Sequence, residues 1–369
     1  MIELATLTQK LISFPGITPD QTGCLDFIQD YLENLGFVCV RKKFADVDNL
    51  YARIGTAAPN LCFAGHVDVV PVLHPESWDH DPFSDTVIGD TVYGRGAIDM
   101  KGAIAAFMMA VKNRLKVPLN GSISLLLTAD EEGPAEHGTK KMVDWLQKSS
   151  EEITCCLVGE PTSVSRVGDM IKVGRRGSLN AIVTATGIAG HVAYPDQCLN
   201  PLDLIIQFYN KLKSSPLDHG DATFQPSNLE FTSIDAGNPT SNVIPGVASA
   251  RFNIRFNDCH TGDSLIAYLK QTAAQVSDRL SLDIRVSGDA FHNAGHPWAD
   301  QVATAVESVT RSRPVLSTDG GTSDARFIKD IAPVVELGLC NALAHKNNEL
   351  VSLNDLATLQ EIYFTILKH

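Results

Sequence analysis

Five short stretches of this chain hold residues able to bind cations or move protons, and most of them directly follow an apolar run. In LCFAGHVD (61–68), His66 comes straight after such a run and Asp68 stands two residues on. A lone histidine there is more often structural. A nearby carboxylate changes that reading, since it can accept the second ring N–H of a metal-bound histidine and so fix its tautomer. In GRGAIDMKG (94–102), Asp99 sits in a glycine-flanked turn ahead of a helix. It suits a helix cap, yet the glycines on both sides point to backbone held close to something. In TADEEG (128–133), Asp130, Glu131 and Glu132 are consecutive at a strand end. They repel one another unless a cation relieves them, and one is then free to act as a base. In GEPT (159–162), Pro161 holds Glu160 extended, although a Glu-Pro turn also explains the pattern. The last, LAHKNNE (343–349), contributes His345, one of eleven histidines. Together they offer two histidines and three carboxylates at successive strand ends. Two tetrahedral metals can share such a set if one carboxylate and a water bridge them. Asp99, short and at a rigid turn, is the natural bridge.

The elements that must position these residues follow from periodicity. Leu25, Ile28, Tyr31, Leu32 and Leu35 have helical spacing, with Gly36 as a stop, so a helix is expected over 22–35. Strands are expected at 37–40, 50–54, 61–64, 123–127 and 155–158, and helices at 100–115 and 138–146. This alternation predicts an α/β fold whose catalytic domain is a three-layer α/β/α arrangement around a mixed sheet. The texture changes near residue 176. Strands at 179–186, 229–234, 247–256 and 281–287, with helices from Pro201 to Leu212 and over 263–278, predict an inserted α+β sandwich. A helix to Arg311, a strand at 332–337 and a helix at 353–367 restore the first texture. The expected domains are 1–176 with 289–369, and 177–288.

Bulk properties narrow the partners. The 369 residues suit two domains, and the 44% apolar and 20% charged content is ordinary for a globular chain. A net charge of -13 argues against a nucleic-acid partner, which needs a basic face. No apolar run reaches membrane-spanning length. Met1–Leu4 lacks a basic region followed by an apolar core, so no secretory signal is expected. The cysteines (24, 39, 62, 155, 156, 198, 259, 340) show no CxxC spacing and read as reduced, buried thiols of a cytoplasmic protein. The glycines at 94–102 form no GxGxxG strand–turn–helix, which disfavours a nucleotide-binding reading.

The set GHVDVVP, GRGAIDMKG, ADEEG, GEPT and a late histidine resembles the co-catalytic dimetal aminoacylase and metallocarboxypeptidase family. WDHDPF (78–83), GRRGSL (174–179), GHVAYP (190–195), AGNPTSNVIP (236–245), RFNIRF (251–256) and GGTSDARFI (320–328) extend the resemblance over nearly the whole chain. It implies two zinc ions per subunit, with cobalt as a possible substitute. His66 and Glu160 would hold one and Glu132 and His345 the other, with Asp99 bridging. Glu131 would be general base and acid, Asp68 would orient His66, and a cis peptide would follow Asp99. The inserted domain would be a ferredoxin-like dimerisation lid. Its His191 would act across the interface of a homodimer, holding the oxyanion in the partner's site. The implied substrate is a small acylated amino acid with several carboxylates. Arg175 and Arg255 would bind them in bidentate fashion, Gly321, Thr322 and Ser323 would form an anion-binding turn, and Ser178, Tyr194, Asn242 and Asn341 would add contacts. The alternative reading is another member of the same family, a dimetal deacylase of the acetylornithine type or a dipeptidase. Where relatives read SGxPFLT, this chain has Ser287–Asn293 without the proline and with His292. His292 and His296 are expected to be exposed loop residues.

Overall fold

Apolar runs that cannot face water on either side become central strands. In the computed structural model, which describes residues 2–84 and 86–368, they form one eight-stranded mixed sheet. Its order is Val38–Phe44, Val47–Ile54, Ser122–Thr128, Asn60–His66, Cys155–Val158, Val334–Glu336, Met170–Lys172 and Val315–Ser317. Asn60–His66 runs parallel to both Ser122–Thr128 and Cys155–Val158, and Val334–Glu336 runs parallel to Cys155–Val158. Val47–Ile54 is antiparallel to both its neighbours.

Helices cover both faces, giving the α/β/α layers expected. On one face, Phe63 of the sheet stacks on Phe107 of helix Lys101–Arg114 with ring centroids 4.2 Å apart, and Tyr363 of helix Leu353–Ile366 meets both rings edge-on. The Tyr363 hydroxyl donates to the Leu337 carbonyl at 2.6 Å, tying that helix to the chain leaving the sheet. Helices Ile2–Ile12, Cys24–Asn34 and Pro297–Thr310 share this core. On the other face, Met142, Val143 and Leu146 of helix Thr139–Lys148 are buried, with Cys62, Ala64 and Cys156 of the sheet pointing away from the first core.

The chain divides into two compact units. The larger contains residues up to Gly174, Asn293–Ser317 and everything from Ser323 onward; the smaller contains Arg175–His292 and Thr318–Thr322. The smaller unit therefore reaches beyond the expected 177–288 and takes in a remote loop. Two hydrogen bonds hold that loop, from Thr318 Oγ1 to the Thr223 carbonyl at 2.6 Å and from Arg175 Nη1 to the Asp319 carbonyl at 3.2 Å. Within this unit an antiparallel sheet, ordered Asn228–Asp235, Val247–Phe256, Gly177–Thr186, Leu280–Gly288, packs on helices Pro201–Lys213 and Gly262–Val276. Alternating burial along Gly177–Thr186 is that of a strand with one covered face. Asn200 caps the first helix, with Pro201 at its first position, and Thr261 with Ser264 forms a capping box on the second.

Periodicity missed the helix Ile2–Ile12 and several strands of two or three residues, including Met170–Lys172, Val315–Ser317 and the small sheet of Leu350–Ser352, Thr91–Tyr93 and Val87–Ile88. Such strands are too short to show a period. The eight cysteines are all free, but only Cys24, Cys62 and Cys156 are buried and Cys259 is exposed, which corrects the expectation of uniformly buried thiols. Among the described residues, no helix is long and apolar enough to cross a membrane.

Candidate metal centre

Strands Ser122–Thr128, Asn60–His66, Cys155–Val158 and Val334–Glu336 are parallel neighbours, so their carboxyl ends open on one edge of the sheet, where ligands gather in α/β folds. His66 is the last residue of its strand, Glu131 and Glu132 follow the next, Glu160 follows the third, and the chain leaving the fourth reaches His345 through Asn341–Leu343. Asp99 enters from the loop ahead of helix Lys101–Arg114, and its peptide bond to Met100 is cis. Met100 lies across the strand ends, with its sulfur 3.4 Å from the His66 amide nitrogen. A side chain at Gly65 or Gly159 would collide with Met100, so glycine precedes both His66 and Glu160.

Each Asp99 oxygen faces a different imidazole. Oδ1 lies 3.2 Å from His66 Nε2, and Oδ2 lies 3.1 Å from His345 Nε2. Glu160 Oε1 is 3.7 Å from His66 Nε2, and Glu132 Oε1 is 2.9 Å from His345 Nε2. Two groups with cation-binding spacing result, His66–Asp99–Glu160 and Asp99–Glu132–His345, sharing Asp99; His66 also groups with Glu131 and Glu132.

Asp68 acts differently from the sequence-based expectation. The contact to His66 Nδ1, at 2.9 Å, is made by its main-chain carbonyl, while its carboxylate Oδ1 stands 3.7 Å away. A carbonyl can only accept, so Nδ1 carries the proton and Nε2 is left free to ligate. The Asp68 carboxylate instead accepts the main-chain N–H groups of Glu131 and Glu132, at 3.3 and 3.1 Å.

The electrostatics are those of a site crowded with acids. Burial opposes a charge on His66, but Asp99, Glu160 and Asp68 outweigh it and raise its pKa well above the ordinary value. Contacts with Asp99 and Glu132 push His345 up to about 10. Burial likewise opposes ionisation of Asp99, and the two imidazoles reverse this and lower its pKa. Burial raises Glu131 and Glu160 well above the carboxylate range, against the pull of His66; Asp324 and Glu132 add to the rise at Glu131.

These residues fit a pair of divalent cations. His66 Nε2 and Asp99 Oδ1 are buried and make no hydrogen bond, an arrangement that costs about 1–3 kcal/mol per group unless something else satisfies them. Two imidazoles with carboxylates are a borderline donor set suited to zinc-like ions.

The expected substrate residues are placed less uniformly. His191, Tyr194 and Asn242 are exposed on the smaller unit, where His191 pairs with Val243 and its ring lies against Tyr194. Arg175 is buried and Arg255 half-buried in the same unit. Gly321 is exposed and Thr322 half-buried. Ser178 and Ser323 are less accessible. Both are buried, Ser178 accepting from Asn253 at 3.2 Å and Ser323 donating to Glu336 at 2.8 Å, so both hydroxyls have internal partners. Asn341 is exposed. His292 and His296 are exposed, and the His296 ring caps helix Pro297–Thr310. Sequence reasoning missed Asp324, which burial pushes up to about 6 against the pull of Arg326. It also missed Arg95 and Glu349, whose signal was a charged residue bordering an apolar strand.

Residues 62–369 match the model of the peptidase family M20/M25/M40, and the chain belongs to that family. The chain is 52% identical to the succinyl-diaminopimelate desuccinylase of Rhodospirillum centenum, covering 98% of this chain and 96% of the relative. It is 49% identical to that of Maricaulis maris, covering 98% and 94%. Its fold matches an M20 family metallo-carboxypeptidase from Sulfolobus solfataricus with a TM-score of 0.82 and 18% identity, covering 100% of this chain and 99% of the other.

Proposed function

We propose that this metal-dependent amide hydrolase cleaves N-succinyl-LL-2,6-diaminopimelate with water to succinate and LL-2,6-diaminopimelate, a step of diaminopimelate and lysine biosynthesis in the cytoplasm. The observation that carries the chemistry is the shared Asp99, one oxygen toward His66 and the other toward His345, with Glu131 beside them. The substrate is carried by the relatives near 50% identity.

His66, Asp99 and Glu160 would hold one zinc ion and Asp99, Glu132 and His345 the other. Bound there, the ions supply Lewis acidity, which acidifies water and polarises an amide carbonyl. Glu131 takes a proton from the attacking water and delivers it to the nitrogen as the C–N bond breaks, so one carboxylate serves as base and then acid. Its buried setting, which favours the protonated form, suits the second role. Arg175 and Arg255 pair with substrate carboxylates. The protein works as a homodimer in which His191 of the partner subunit donates to the carbonyl oxygen as charge develops there. Exposure of His191 among Ile188, Val192, Tyr194 and Val243, all large and exposed, supports that role.

Parallel assays of the zinc-loaded protein on succinyl-diaminopimelate and acetylornithine test the substrate. Faster release of succinate supports the proposal; preferential turnover of acetylornithine replaces it with a related deacylase.

A further inference from the structure

Glu349 is wholly buried, yet it is a carboxylate surrounded by donors. Its Oε1 accepts the main-chain N–H of Ile98 at 2.7 Å and of Asp99 at 3.2 Å. Its Oε2 accepts Gly96 N–H at 3.1 Å and Arg95 Nη1 at 2.8 Å. All four donors belong to the segment that carries Asp99, whereas Glu349 belongs to the segment that carries His345. Arg95, also buried, donates onward to the carbonyls of Lys346 at 3.2 Å and His345 at 3.4 Å. A buried ion pair is stable to the extent that its remaining donors and acceptors are satisfied, and here the partners of both Glu349 oxygens and both Arg95 Nη atoms lie on the two ligand-bearing loops, Arg95 Nε alone having none.

The His345 ring is about half exposed, so packing does not fix it. Its backbone has φ 62°, and Asn348 has φ 57°, a left-handed conformation sparsely populated by non-glycine residues and kept only where the surroundings enforce it. Asn348 supplies a second restraint, accepting Asp79 N–H at 2.8 Å and donating to the Asp79 carboxylate at 3.0 Å.

We propose that Glu349 and Arg95 are positioning residues for one cation site of the pair, formed by Asp99, Glu132 and His345, because they lock together the two loops that present Asp99 and His345. The inference rests on the metal-centre reading above. It is asymmetric: two of the three ligands in that group lie on the clamped loops, but only Asp99 does in the group with His66 and Glu160.

Calorimetric titration of metal-free protein with zinc alone tests it. The wild-type chain takes up two cations. Glu349→Gln keeps the shape but loses the charge facing Arg95, and weakens one binding event by about tenfold or more, the scale of losing a ligand's supporting partner. The other event stays within about threefold. Arg95→Lys keeps the charge, loses the planar fork and weakens the same event; it carries the comparison if Glu349→Gln does not fold. In a His345→Ala background Glu349→Gln has little further effect, since both act on one site. Unchanged affinities, equal weakening of both events, or full additivity with His345→Ala overturns the positioning role while the metal centre stands. A wild-type chain that binds no pair of cations overturns the metal-centre reading itself.

Discussion

Asp68 and Glu132 are joined by a hydrogen bond from the Glu132 main-chain N–H to the buried Asp68 carboxylate at 3.1 Å, and Glu131 donates to the same group at 3.3 Å. Asp68 thereby fixes the turn that presents Glu131, the proposed general base, and Glu132, a proposed ligand. In Asp68→Asn one oxygen becomes a donor facing a donor. We expect kcat to fall by about 10- to 100-fold, the scale of losing a supporting partner, with zinc content retained. Steady-state kinetics with metal analysis on the same preparation checks this; unchanged kcat removes the role.

Glu131→Gln leaves the shape of the site but removes the group proposed to carry the proton. The expected loss in kcat is at least about 10²- to 10⁴-fold, the share usually supplied by general acid–base catalysis, again with two zinc ions per chain. Activity near wild type assigns the proton transfer elsewhere.

Metal binding and protons compete at the two imidazoles. Both have raised pKa values without metal, His345 to about 10, so near pH 7 they are protonated. A ligating histidine must be neutral, so cation uptake releases protons and zinc affinity falls as pH falls. The sign for the metal-free fold is opposite. A histidine raised above its unfolded value of about 6.5 stabilises the fold fully below that pH, and the contribution is lost as pH rises through about 10. Zinc titrations in buffers of different ionisation enthalpy count the protons; none released contradicts this electrostatic picture.

The grouping of these side chains could be anticipated from the sequence because each candidate ligand stood beside a strong pattern. His66, Glu131, Glu132 and Glu160 each follow an apolar run, and such runs become parallel central strands whose ends share an edge. What periodicity could not show was hydrogen bonding at the ends of loops. Nothing in the spacing distinguishes the Asp68 carboxylate from its carbonyl as the partner of His66. Ser323 looked like a donor for substrate, but Glu336, 13 residues further on, takes its hydroxyl. Nothing in the spacing around Glu349 shows that the fold closes over it.

Tyr363 offers a test of the fold apart from the chemistry. Its hydroxyl donates to the Leu337 carbonyl inside the core. Tyr363→Phe leaves that carbonyl without its partner and is expected to lower stability by about 1–3 kcal/mol, read from the urea midpoint of the zinc-loaded protein. A shift near zero means that the Tyr363 hydrogen bond adds nothing to the hold on helix Leu353–Ile366.

The central claim is that five side chains, distant in sequence, enclose two cations that share Asp99. Anomalous diffraction at the zinc absorption edge measures this directly. The account predicts two peaks about 3.5–4 Å apart, one among His66, Asp99 and Glu160 and the other among Asp99, Glu132 and His345. A single peak, or zinc bound away from Asp99, contradicts it.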